Sequence, residues 1–197
     1  MAGKKIGIIG DGNVGSALAR GLKRAGHDVR TVGKDKTAIR ETAAWADVVL
    51  LAVPFGAIDE VAKDITGGVD GKPLVDVTNA LDNKMNLAVG FTTSGAEELQ
   101  RKVPKARVVK AFNTVFAQHM DTGRLGDKLL TAFAASDDAS AKASVLDLAR
   151  EIGFDAVDAG PLRNARLLEP LAFLNVQLGY VLGMGTQIGF KLLHGSR

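Results

Sequence analysis

Ile6-Gly7-Ile8-Ile9-Gly10-Asp11-Gly12-Asn13-Val14-Gly15 is a short apolar run that gives way to a glycine-rich turn. From Val14 to Ala25 the apolar residues then fall at helical spacing, and Gly26 ends the pattern. The turn fits G-x-G-x-x-G in the strand-turn-helix setting that the motif requires. Gly10 permits the tight turn, Gly12 lets backbone come close to a pyrophosphate, and Gly15 lets helix pack on strand. The first N–H groups of the helix have no partner within it, and together with the positive end of its dipole they favour an anion. Asn13 is the expected cap. The stretch therefore reads as a dinucleotide-binding turn, with Gly10, Asp11, Gly12, Asn13, Val14 and Gly15 around the phosphates.

Outward from this turn, strands and helices alternate. Strands are expected at Asp28–Val32, Val48–Val53, Pro73–Val77 and Val108–Phe112, with helices at Thr37–Trp45, Ala57–Ile65 and Gly95–Lys102 between them. A further strand near Leu130–Ala134, a helix over Ala139–Ile152 and a strand at Ala156–Val157 follow, and Leu162–Leu193 reads as helices. The alternation implies right-handed crossovers and an α/β, doubly wound, mainly parallel sheet. The expected organisation is a dinucleotide-binding domain over residues 1–160 and a small C-terminal helical extension over 161–197, given to packing and dimer contacts.

In such a sheet, ligands lie outside the carboxyl ends of the strands, at the switch in strand order. The residues just after each strand are therefore the remaining site candidates. Ala52, Val53, Pro54 and Phe55 can form a rigid apolar wall for a nicotinamide ring, although Pro54 equally suits the start of a helix. Asn79, Phe112 and Asn113 follow later strands, and the two asparagines can hold ribose hydroxyls or a carboxamide, or simply cap and turn. The end of the second strand, Arg30-Thr-Val-Gly33-Lys34-Asp35-Lys36, selects the cofactor. Gly33, Lys34 and Lys36 there suit a 2′-phosphate and hence NADP, whereas a shift of register would make Asp35 a ribose ligand and favour NAD.

Composition removes other classes. Net charge is +3, from 25 basic against 22 acidic residues, which is too small to imply a polyanion partner, and a 5% aromatic content argues against a base-stacking platform. The absence of cysteine excludes disulfides, thiolate metal sites and thiol nucleophiles. The apolar run after Met1-Ala-Gly-Lys-Lys is too short for a signal peptide, so a cytoplasmic location is expected. Pro170–Phe190 carries no charge and holds Gly179-x-x-x-Gly183 and Gly185-x-x-x-Gly189. With Asn175, Gln177, Thr186 and Gln187 inside it, it reads as a buried or dimer-facing helix rather than a membrane span. Of His27, His119 and His194, only His119 lies where it could approach the cleft, and a helix-end role suits it better. No residue is assigned a catalytic proton transfer, Lys191 included, and no metal site is expected. Hydride transfer between two ring cofactors needs positioning more than acid or base.

Ile6 to Gly15, Gly26-His-Asp-Val29, Leu51-Ala-Val-Pro54, Lys110-Ala-Phe-Asn-Thr114 and Gly160-Pro-Leu162 with Ala165-Arg-Leu-Leu-Glu-Pro-Leu171 together resemble the NADPH-dependent 8-hydroxy-5-deazaflavin (coenzyme F420) reductase family. The resemblance runs nearly end to end. It implies a Rossmann domain with a small helical C-terminal part, usually dimeric, that moves hydride between NADP(H) and a deazaflavin or flavin-like acceptor. By position, Gly33 and Lys34 stand where the family often has a Ser-Arg pair on the 2′-phosphate. Two other functions fit the same residues: an NADPH-dependent reductase of small imines or carbonyls, like pyrroline-carboxylate reductase, with His119 or Tyr180 as proton donor, and a dinucleotide-binding protein without turnover.

Overall fold

A computed structural model describes residues 3–82, 84–193 and 195; His194 lies outside the described residues. Seven strands form one sheet in the order β2-β1-β3-β4-β5-β8-β9. The first five are β1 (Lys5–Ile9), β2 (Asp28–Val32), β3 (Val48–Leu51), β4 (Pro73–Asp76) and β5 (Arg107–Ala111), all parallel to one another. Beyond a two-residue hairpin that the sequence did not announce, β6 (Arg124–Leu125) with β7 (Lys128–Leu129), come β8 (Thr131–Ala135) and β9 (Asp155–Asp158). β8 joins β5 antiparallel and β9 joins β8 parallel, so the sheet is mainly parallel, as expected.

Both faces of the sheet are covered, and the side chains show it with a period of two. Ile6, Ile8, Val48, Leu50, Val75 and Val109 face one core, with Leu18 and Leu22 of α1 (Asn13–Arg24) and Val145, Leu148 and Ile152 of α5 (Ala139–Ile152). Ile9, Val49, Leu51, Leu74 and Val108 face the other. There they meet Ile39 of α2 (Lys36–Trp45), Ile58, Val61 and Ile65 of α3 (Ile58–Ile65) and Leu99 of α4 (Gly95–Lys102). Burying each large aliphatic side chain contributes about 1.5–3 kcal/mol, so two such faces hold the layers together without disulfides. Strand order reverses about β1, with β2 on one side and β3 on the other, which opens a crevice between the carboxyl ends of β1 and β3.

The C-terminal part departs from a run of helices. α6 (Ala165–Val176) is followed by one π turn, Gln177–Val181, and the chain then leaves helical geometry. Gly183 and Gly185 sit at φ +74° and +71°, so these glycines end the helix rather than line it. The tail returns to the sheet: Thr131 N donates to Phe190 O at 3.0 Å, and Leu192 N donates to Thr131 Oγ1 at 2.9 Å. No helix among the described residues is long and apolar enough to cross a membrane.

Candidate functional site

The glycine turn occupies the crevice. Gly10, at φ +115°, lies so close to Ala52 O that a Cβ there would stand 2.2 Å from it, and a Cβ on Gly15 would come within 1.9 Å of Gly10 O. A Cβ on Gly12 would meet nothing within 4 Å. The three glycines thus serve turn, open approach and helix packing respectively, the division that a phosphate-binding turn requires. Asn13 is not the cap: Gly12 holds that position, Asn13 is already the first helical residue, and among the described residues no side chain caps α1. By contrast Asp35, Ser94 and Asp138 accept N–H bonds from Ala38, Glu97 and Ala141 at the starts of α2, α4 and α5. Asp35 is thus engaged through Oδ1 at the start of α2, and it is not among the residues that line the cavity.

A cavity of about 560 Å³ lies in front of this turn, lined by Gly10, Asp11, Gly12, Gly33, Lys34, Lys36, Ala52, Val53 and Pro54 among others. Nine expected site residues therefore come together. Ile39, Ala57, Glu60, Val61 and Asp64 also line the cavity; sequence reasoning missed them because Ile39 and Val61 read as core and the two acids as a charged helix face. Pro54, extended at ψ 145°, both lines the cavity and precedes a 3-10 turn, Phe55–Ala57, so its two readings coexist. Lys36 Nζ is 2.5 Å from Glu60 Oε1; that hydrogen bond and the charge of Glu60 hold the Lys36 ammonium above its ordinary range.

Asn13, Val14, Gly15, Phe55, Asn79, Phe112 and Asn113 do not line the cavity. Phe55 rests on the start of α4, where a Cβ on Gly95 would lie 2.9 Å from its Cε2. Phe112 faces away from any ligand: it is 2% exposed and packs on Phe154 at 5.8 Å between ring centroids. Its backbone sits at φ +64°, a conformation costing about 1–3 kcal/mol for a residue with a side chain. That turn presents Asn113, whose Nδ2 donates to Leu168 O at 3.0 Å and Asn79 Oδ1 at 3.3 Å. The carbonyl partner fixes which way the amide points and leaves Asn113 Oδ1 without a partner, along with Thr78 Oγ1 and Thr114 Oγ1, among the described residues. These buried atoms sit just past the ends of β4 and β5, on the side of the sheet where doubly wound folds hold their ligands.

Beneath them is a buried ion cluster. The Lys110 ammonium donates to Asp76 Oδ2 at 3.0 Å and Thr78 O at 2.6 Å and pairs with Glu169 Oε1 at 3.0 Å. Glu169 also accepts Gly95 N–H at 2.9 Å and Ala96 N–H at 3.2 Å, at the positive end of α4. Burial lowers the lysine pKa, but the two carboxylates outweigh burial and leave it raised. One turn along α6, Arg166 binds Glu97 bidentately at 2.9 and 2.7 Å. The Ala165–Leu171 segment is therefore a clamp between α6 and α4. His119 does not reach the cavity; its Nε2 lies 2.9 Å from Thr186 O and the ring is 6% exposed. Tyr180 is exposed and edge-on to Phe116 at 5.6 Å. Among the described residues no group of three His, Cys, Asp or Glu is placed to hold a metal ion.

A family model of coenzyme F420-dependent NADP oxidoreductases matches residues 5–80. An F420-dependent NADP reductase of Methanothermobacter marburgensis is 31% identical over 189 residues, covering 90% of this chain and 83% of that protein. Metalloreductase STEAP3 of Rattus norvegicus is 30% identical over 184 residues, covering 85% of this chain and 36% of the relative. The chain thus spans about a third of the length of the metalloreductases it matches. A crystal structure of a candidate F420-dependent NADP-reductase from Arthrobacter sp. FB24 superposes with a TM-score of 0.89 at 30% identity, over 98% of this chain and all of that one. An NADP-bound pyrroline carboxylate reductase of Plasmodium falciparum shares the fold, with a TM-score of 0.60 at 19% identity over 80% of this chain and 58% of that one. The chain belongs to the F420-dependent family of NADP oxidoreductases.

Proposed function

We propose that this protein binds NADP(H) in the cavity before the glycine turn and exchanges hydride with a deazaflavin or flavin-like ring. The observation that carries the reading is the continuous lining from the uncapped start of α1 to the Val53-Pro54 wall, on a chain of this family. NADPH supplies the hydride when bound. The α1 N–H groups hold the phosphates, Gly12 leaves room for them, and Val53-Pro54 fixes the plane of the ring. Asn113 Oδ1, positioned by the bonds from its Nδ2 to Leu168 O and Asn79 Oδ1, is the buried acceptor that the ring's amide or ribose would meet by extending beyond the cavity lining. With the residues confined to binding and orientation, the rate comes from placement of two rings rather than from proton transfer. His119, bonded to Thr186 O away from the cavity, does not serve the imine-reductase reading as proton donor, and Tyr180 lies on the exposed extension rather than on the cavity of its own subunit.

Leu167, Leu174, Tyr180, Val181, Leu182 and Met184 expose between 48% and 69% of their surface on and after α6. We infer a homodimer through this extension, the second subunit covering a cleft that about thirty residues cannot, in a cytoplasmic enzyme. The test is NADPH oxidation with F420, FMN, FAD, ferric chelates and cyclic imines, with mass measured by light scattering. Deazaflavin or flavin turnover by a dimer is expected. Silence with every acceptor despite NADPH binding would leave a nucleotide sensor instead.

A further inference from the structure

The adenosine end of the cavity is not the cationic pocket that a 2′-phosphate would select. Lys34 and Lys36 line it, but so do Asp11, Glu60 and Asp64. Lys36 is held by Glu60 at 2.5 Å, and Asp64 is held by Arg40 at 2.7 Å. Among the described residues two charges of the lining remain outside these pairs, Lys34 and Asp11. The Asp11 side chain reaches across the gap between the phosphate turn and the end of β2: a Cβ on Gly33 would lie 2.6 Å from Asp11 Oδ2 and 3.1 Å from its Cγ. Gly33 is therefore the residue that the Asp11 carboxylate allows there, and any side chain at 33 would have to displace it.

We propose that Asp11 is the specificity-determining residue of the coenzyme site, its carboxylate facing the 2′ position of the adenosine ribose so that the enzyme takes NADH as well as NADPH. A carboxylate there accepts a hydrogen bond from a 2′-hydroxyl and repels a 2′-phosphate dianion, while Lys34 attracts that dianion. The opposed charges keep discrimination between the coenzymes small. An acidic group on the glycine turn thus does the work usually given to an acid after the second strand.

The inference rests on the nucleotide reading above, and the test separates the two. Dissociation constants for NADPH and NADH are measured by titration of the full chain, wild type and Asp11→Asn, at low and high salt. The amide keeps the shape packed on Gly33 and removes the charge. Wild-type preference for NADPH is expected to stay within about tenfold, and Asp11→Asn to widen it by about fivefold or more, as one partly exposed charge facing a dianion should. The widening should come from tighter NADPH binding and shrink in high salt. Lys34→Met should narrow the preference instead. If wild type binds neither coenzyme, the nucleotide reading fails. If both bind but Asp11→Asn moves their ratio by less than about twofold, or moves both together, Asp11 is not the determinant and the nucleotide reading stands.

Discussion

Replacing Lys110 by Met tests the buried cluster that joins β4, β5, α4 and α6. The lysine is 0% exposed and so is Asp76, while Glu169 is 1% exposed, so water cannot screen what the substitution leaves behind. Methionine fills nearly the same volume, and the loss is therefore electrostatic: two carboxylates in one desolvated site, and a Thr78 carbonyl without its donor. Breaking a buried pair by removing one partner costs about 3–5 kcal/mol. For a chain of this size each kcal/mol lowers Tm by about 2–4 °C, so a fall of about 6–20 °C is expected. The assay is urea unfolding with thermal scans across pH. In the wild type the Lys110 pKa lies above its ordinary 10.5, so the stability it contributes is complete below that pH and is lost as pH rises through the folded value. In Lys110→Met the penalty should instead shrink toward acid, because protonating one carboxyl removes the repulsion between the two and protonating both removes the remaining buried charge. A loss under about 1 kcal/mol, or one independent of pH, would show that the cluster is not electrostatically coupled.

Two further predictions concern the turn and the clamp. Gly12→Ala should leave Tm within about 2 °C while weakening NADPH binding, since its Cβ enters only open space, whereas Gly15→Ala should lower stability and binding together because Gly10 O blocks it; thermal scans with and without nucleotide check both. The hydrogen bond from Arg166 is the largest cause that lowers the Glu97 pKa, so the pairing stabilises above the ordinary carboxyl value of 4.5 and fades as pH falls below it. The Tm gap between wild type and Arg166→Met should close in acid.

The layers were legible because the signals are local. Ile6 to Gly15 shows its strand, turn and helix within ten residues, and the alternation of β1, β3 and β5 across two cores follows from residue types. What stayed hidden is pairing over distance. Val108–Phe112 reads as one buried strand, and nothing within it says that Lys110 meets Asp76, 34 positions away, or a glutamate on the last helix. Glu60 on Lys36 and Asp11 against Gly33 are hidden for the same reason. The glycines after Val181 misled because small-residue spacing is shared by close helix packing and by left-handed turns, and only φ tells them apart.

The bare start of α1 has a consequence for the life of the protein in a cell. Helices α2, α4 and α5 close their first turns with their own side chains, a contribution of about 0.5–2 kcal/mol each, and α1 forgoes it. Under the nucleotide reading, the missing cap is supplied from outside, by a dissociable molecule. A nucleotide at one hundred times its Kd adds about 2.7 kcal/mol to the folded state. Resistance to proteolysis then tracks the total supply of coenzyme, oxidised and reduced alike, because both forms carry the phosphates that would close α1.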